Sequence, residues 1–185
     1  MASEHGNDGF DLGAIFDAHV RAEFELRDAD GTIDTMTAEP YLNHVPVATG
    51  ASGREALREF YRDRFIPSWA ADTEVVPISR TVGEDRIVDE LLVRFTHSQP
   101  MPFNLPGVSP TGRRVELPHV VVVGFEGGKV AYEHVYWDQA SLLVQVGLLD
   151  ADTVPALGID QAHKLMDRSL PSNELIERAE RRPSR

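Results

Sequence analysis

The chain has 185 residues, no cysteine and a formal net charge of −12, from 18 Lys and Arg against 30 Asp and Glu. That length suits one compact domain with a real core, and the acidity disfavours nucleic acid or an anionic membrane as partner. The lack of cysteine excludes disulfides, thiolate zinc sites and a cysteine nucleophile. With no basic, apolar leader and no apolar run near the ~18 residues of a membrane span, the chain reads as cytoplasmic.

Residues 1–11 are polar and acidic and read as a disordered lead-in. From Leu12 to about Arg27, Ile15, Phe16, Val20 and Phe24 recur at helical spacing. A second short helix is expected over 33–36. The stretch 39–50, with two prolines, is extended. Ser52 is placed to cap a helix from Arg54 to Ile66, whose Leu57, Phe60, Tyr61 and Phe65 form one apolar face. Two strand-like runs follow, 73–83 and 86–97, and then a Pro/Gly-rich segment, 98–112. A loop of that kind inside a compact domain is commonly functional, here as a cover over a pocket. Two more strands meet at Gly127-Gly128, and a helix is expected over 139–149. Residues 151–185 carry two weaker helical patterns. Helices first and strands afterward indicate α+β.

Gly127-Gly128 suits a two-residue type I′ turn, which puts Glu126 opposite Lys129. In an unbroken ladder from that turn, Leu117, His119, Val121, His134, Tyr136 and Asp138 share one face. His119 and Asp138 are then diagonal neighbours, roughly 7–8 Å apart. That face has the makeup of a pocket. The opposite face, with Val120, Val122, Val135 and Trp137, needs a cover, which a second subunit would supply.

The "GGK" turn, the strand "KVAYEHVYWD", the loop "LPGVSPTGRRVELP" and the helix "ATGASGREALREFYRDRF" resemble the SnoaL-like branch of the nuclear transport factor 2-like superfamily. The resemblance covers 12–150 and leaves 151–185 as a helical C-terminal extension. It implies a cone-shaped, curved antiparallel sheet wrapped around N-terminal helices, with a deep apolar cavity, often in a homodimer. It also implies polyketide-cyclase-like aldol closure, isomerisation or dehydration, with epoxide hydrolysis and plain ligand binding elsewhere in the superfamily. An aspartate ending the last strand is the general base of such cyclases, and Asp138 matches it.

Asp138 just before a helix is equally a good N-cap. His119 is placed to donate to an enolate oxygen. His44, His97, His134, Tyr136 and Tyr41 are the candidate pocket residues, for a small apolar carbonyl or aromatic ligand. Arg94 is expected to pair with Glu90 or with a substrate carboxylate. No metal set is legible, because His134 and Asp138, four residues apart on a strand, stand ~13 Å apart. No glycine-rich nucleotide loop or nucleophile elbow occurs, so no cofactor is expected.

Overall fold

The computed structural model describes residues 9–181, so most of the predicted lead-in lies outside the described residues. Asp11 accepts the Ala14 N–H at 3.0 Å and starts α1, Leu12–Arg21. The helix then widens into a π-helical turn, Ala22–Leu26, and ends where Arg27 turns left-handed at φ 53°. Helix α2 is Ala29–Asp34. It ends earlier than the spacing predicts, because Met36 already pairs with Val130 and opens β1, Met36–His44.

Strand β2, Thr49–Ser52, pairs antiparallel with β1, and Ser52 sits opposite Tyr41. Ser52 is therefore a strand residue and not the expected cap. Gly53, at φ 84°, precedes α3, Arg54–Phe60. That helix continues as a second π-helical turn, Tyr61–Phe65, and a 3₁₀ turn, Ile66–Ser68. Strands β3 (Glu74–Val82), β4 (Arg86–Thr96), β5 (Arg114–Glu126) and β6 (Lys129–Trp137) follow. Then come α4 (Gln139–Gln145), α5 (Asp160–Met166) and α6 (Glu174–Glu180).

The α+β architecture is as expected: one curved six-stranded sheet, ordered β2-β1-β6-β5-β4-β3, with the N-terminal helices against its inner face. The sheet is not wholly antiparallel, since β1 runs parallel to β6. Phe16 from α1, Leu57 from α3 and Tyr61 from the π-helical turn after it meet Phe95, Leu117, Val121 and Val123 from the strands in one buried core. The Pro/Gly-rich segment tucks inward: Met101, Phe103 and Leu105 are buried. Apolar side chains at those three positions join the segment to the core, and Phe103 reaches the cavity wall.

Gly127 and Gly128, at φ 54° and 73°, form the predicted turn, and Glu126 faces Lys129. The ladder then slips. Phe125 pairs with Val130, but Gly124 pairs with Tyr132, so Ala131 is an extra residue in β6. A β-bulge of this kind inverts every later side chain on its strand. Its cause is local: a Cβ on Gly124 would lie 2.0 Å from Tyr132 Cε1, so the ring occupies the space that glycine leaves. The consequence is that His119 stands opposite Trp137, and Val121 opposite Val135. The face reading from the unbroken ladder is corrected accordingly. His119 is buried on the inner face with Glu133, Val135 and Trp137 as cavity neighbours, while Val120 and Tyr136 are exposed. No described helix is long and apolar enough to cross a membrane.

Candidate functional site

Between the helices and the inner sheet face lies a cavity of about 700 Å³. Phe16, Phe24, Phe65, Trp69, Phe103 and Trp137 supply aromatic wall, and Glu23, His44, His119 and Glu133 supply polar groups. That mixture, a largely apolar wall with a few converging polar groups, is typical of a small-molecule site. At the solvent side Arg80 binds Asp89 through two contacts of 2.7 Å and reaches Asp17 at 2.8 Å. Its guanidinium also lies over the Phe16 ring at 5.6 Å.

The bulge in β6 turns Glu133 into this wall. Glu133 Oε1 accepts from the Tyr61 hydroxyl at 3.1 Å and stands 3.0 Å from His19 Nε2. The same His19 nitrogen is 3.2 Å from Glu23 Oε1. All four side chains are buried. On its other side, His19 Nδ1 is 2.6 Å from Thr35 Oγ1, and that hydroxyl donates to Thr32 O at 2.6 Å. Thr35 has spent its proton, so His19 Nδ1 must be the donor.

Burial alone would lower the His19 imidazole, but the charges of Glu133 and Glu23 raise it to about 10. Burial likewise pushes the Glu133 carboxyl upward, and the His19 charge overcomes this and holds it below the usual range. Glu23, for which burial prevails, is raised. Burial and the neighbouring carboxylates raise the Tyr61 phenol well above its usual value, so it stays a donor.

His44 and His119 form a second group, each packed on Trp137 with ring centres 5.6 and 5.4 Å away. His119 Nδ1 donates to Leu117 O at 2.9 Å. His44 Nδ1 donates to Thr49 Oγ1 at 3.1 Å, because the Thr49 hydroxyl itself donates to Phe103 O. Burial lowers both imidazoles to about 4. At neutral pH each is therefore uncharged, with its Nε2 lone pair remaining. His119 is thus an acceptor, and the donor role toward an enolate does not fit its tautomer.

The other sequence candidates lie elsewhere. Asp138 caps α4, with one oxygen accepting Ser141 N–H at 3.1 Å and the other Ser141 Oγ–H at 2.7 Å, and it is not in the cavity wall. His134 and Tyr41 pack edge to face at 5.8 Å, part of a shallow depression distinct from the cavity, and Tyr136 is exposed. His97 is buried beside Thr111 at 3.2 Å, outside the cavity. Arg94 pairs across strands with Glu116 at 3.0 Å and Glu74 at 3.4 Å, in place of Glu90. So His44 and His119 come together, and Asp138, His134, Tyr136, Tyr41 and His97 do not join them.

Sequence reading missed His19, Glu23, Tyr61 and Glu133. A signal existed for two of them, since His19 and Glu23 fall inside the Phe16, Val20, Phe24 stripe of α1 and its π-helical extension. Another signal was Gly124 in an otherwise branched strand, a common mark of a bulge. The two π-helical turns carry Glu23 and Tyr61, and such widenings recur at functional sites.

The sequence model of the SnoaL-like domain matches residues 16–133. No curated protein matches the sequence significantly. Among solved structures, TsrD from Streptomyces laurentii superposes with a TM-score of 0.60 at 20% identity, covering 75% of this chain and 96% of TsrD. A protein assigned as a SnoaL-like polyketide cyclase from Jannaschia sp. CCS1 gives 0.57 at 21% identity, covering 81% and 99%. A protein with a ketosteroid isomerase-like fold from Catenulispora acidiphila, solved with trimethylamine, gives 0.56 at 14% identity, covering 73% and 93%. At these identities the likeness is one of fold.

Proposed function

The chain belongs to the SnoaL-like domain family, and on that premise we propose that it is an enzyme in which a cavity carboxylate acts as general base on an apolar carbonyl compound. The base in this reading is Glu133 and not Asp138. The supporting observation is that Glu133 is buried and held ionised by His19 and Tyr61 in the wall of an aromatic cavity. Both oxygens of Asp138, by contrast, are engaged by Ser141.

In the reaction Glu133 takes a proton α to a carbonyl, and the C–H electron pair passes to the carbonyl oxygen as an enolate. A carboxylate held below its usual range is a weak base. It therefore suits carbon acids that are already acidic, such as a carbon between two carbonyls. His44 and His119 accept hydrogen bonds from hydroxyls of that compound through Nε2. The enolate then attacks a second carbonyl, expels a β-hydroxyl or is reprotonated elsewhere, which are cyclisation, dehydration and isomerisation.

The test is deuterium exchange into cyclic and linear 1,3-diketones, followed by NMR. The protein should accelerate exchange, and Glu133→Gln should lose about 10²–10⁴-fold of that rate while still binding the diketone. Undiminished exchange in Glu133→Gln sinks the assignment. A loss confined to Asp138→Ala would return the role to Asp138.

A second reading, opening of an epoxide by water, draws on Asp17, Arg80 and Asp89 at the cavity rim, an aspartate–arginine–aspartate set. It requires that Asp89→Asn abolish epoxide hydration and leave diketone exchange intact.

A further inference from the structure

His19 Nε2, Glu23 and Glu133 each bring one ligand atom to a common point, all within 4.8 Å of one another. Two further facts separate this group from an ordinary buried ion pair. His19 Nε2 is fully buried and within ion-pair distance of two oxygens, 3.2 Å from Glu23 Oε1 and 3.0 Å from Glu133 Oε1, yet is aligned for a regular hydrogen bond with neither. The Nδ1 side, meanwhile, is fixed as a donor to Thr35 at 2.6 Å, so the Nε2 side is the one turned to the carboxylates, where a metal ion would take the place of the Nε2 proton. A ring held through Nδ1–H with Nε2 forward is how histidine is oriented when it ligates a metal.

The spacing fits an ion. Ligand atoms about 2.1 Å from one metal, at angles between octahedral and tetrahedral, stand roughly 3.0–3.4 Å apart. The separations of His19 Nε2 from the two carboxylates, 3.0 and 3.2 Å, fall in that interval. One imidazole with two carboxylates suits a divalent first-row transition ion, whereas calcium and magnesium prefer sites made wholly of oxygen. Three protein ligands would leave a further coordination position, and two of the three, Glu23 and Glu133, line the cavity. Tyr61, donating to Glu133 Oε1 at 3.1 Å, would steady one ligand from behind.

We propose that His19, Glu23 and Glu133 form a binding site for a divalent first-row transition ion, for which Zn²⁺ is the probe. Sequence spacing hid the set because two ligands come from one helix and the third from the last strand. Glu133 also serves the proposed reaction, so the site deepens that reading: an ion there would engage the base and offer its open position to a carbonyl oxygen.

The experiment is calorimetric titration of Zn²⁺ into the full chain after treatment with a chelator. The expected result is one ion per chain, with affinity falling at least about tenfold in Glu23→Gln and in His19→Gln. His163→Gln, which alters the exposed His163–Asp160 pair, should bind as before. Absence of stoichiometric binding overturns the proposal, as does undiminished affinity in Glu23→Gln or a loss that follows His163→Gln. Should Glu23→Gln fail to fold, nitrogen NMR of the histidines with Cd²⁺ answers the same question in the unaltered chain. A change confined to one histidine Nε2 with Nδ1 still protonated supports the site, and changes elsewhere refute it. The diketone test replaces Glu133 and the metal test replaces Glu23, so exchange without zinc binding and zinc binding without exchange are separate results.

Discussion

Gly124→Ala tests the feature on which the site depends. An added Cβ would stand 2.0, 2.5 and 2.6 Å from three atoms of the Tyr132 ring, well inside contact distance. The ring must swing away by over an ångström, and it packs against His134 with 4.9 Å between ring centres. Overpacking of this kind costs ~1–3 kcal/mol. For a domain of this size that corresponds to a fall in Tm of roughly 3–10 °C. The assay is thermal unfolding by circular dichroism on a double-mutant cycle with Tyr132→Ala. If the ring over Gly124 causes the strain, Tyr132→Ala should remove most of the penalty, leaving a coupling energy of about 1 kcal/mol or more. An equal penalty in both backgrounds would refute the argument that Tyr132 and Gly124 together set the bulge.

Asp138→Ala removes the cap of α4 and should cost about 1 kcal/mol, while ligand binding in the cavity persists, since Asp138 is not in its wall. An unchanged Tm with lost diketone exchange would contradict that placement. Stability should also depend on pH in both directions. His19 is raised to about 10, so the folded chain holds its proton more tightly than the unfolded chain does. Its contribution is complete below the ordinary pKa of ~6.5 and is lost as pH climbs toward 10. His44 and His119, lowered to about 4, act oppositely, their contribution being lost as pH falls from ~6.5 toward 4. Denaturant titrations across pH check both limbs, and His19→Gln should flatten only the alkaline one.

Much of the fold is legible along the chain because its causes are local. The Phe16, Val20, Phe24 spacing, the Gly127-Gly128 turn and the Glu126–Lys129 pair need only periodicity and turn chemistry, and the structure has all three. Asp138 as a helix cap is local in the same sense. His44 and His119 were identifiable as histidines among apolar neighbours, and both line the cavity.

What the linear pattern could not supply is a register and a meeting of distant elements. One extra residue, Ala131, exchanged the faces of β6, so Glu133 and Trp137 point inward and His134 and Tyr136 outward. A strand has period two, and a single insertion therefore reverses every assignment beyond it. The cluster of His19, Glu23, Tyr61 and Glu133 joins two helical segments to the last strand, so no single stretch of sequence displays it. Its perturbed charges arise from burial and mutual proximity, which exist only once the helices close over the sheet.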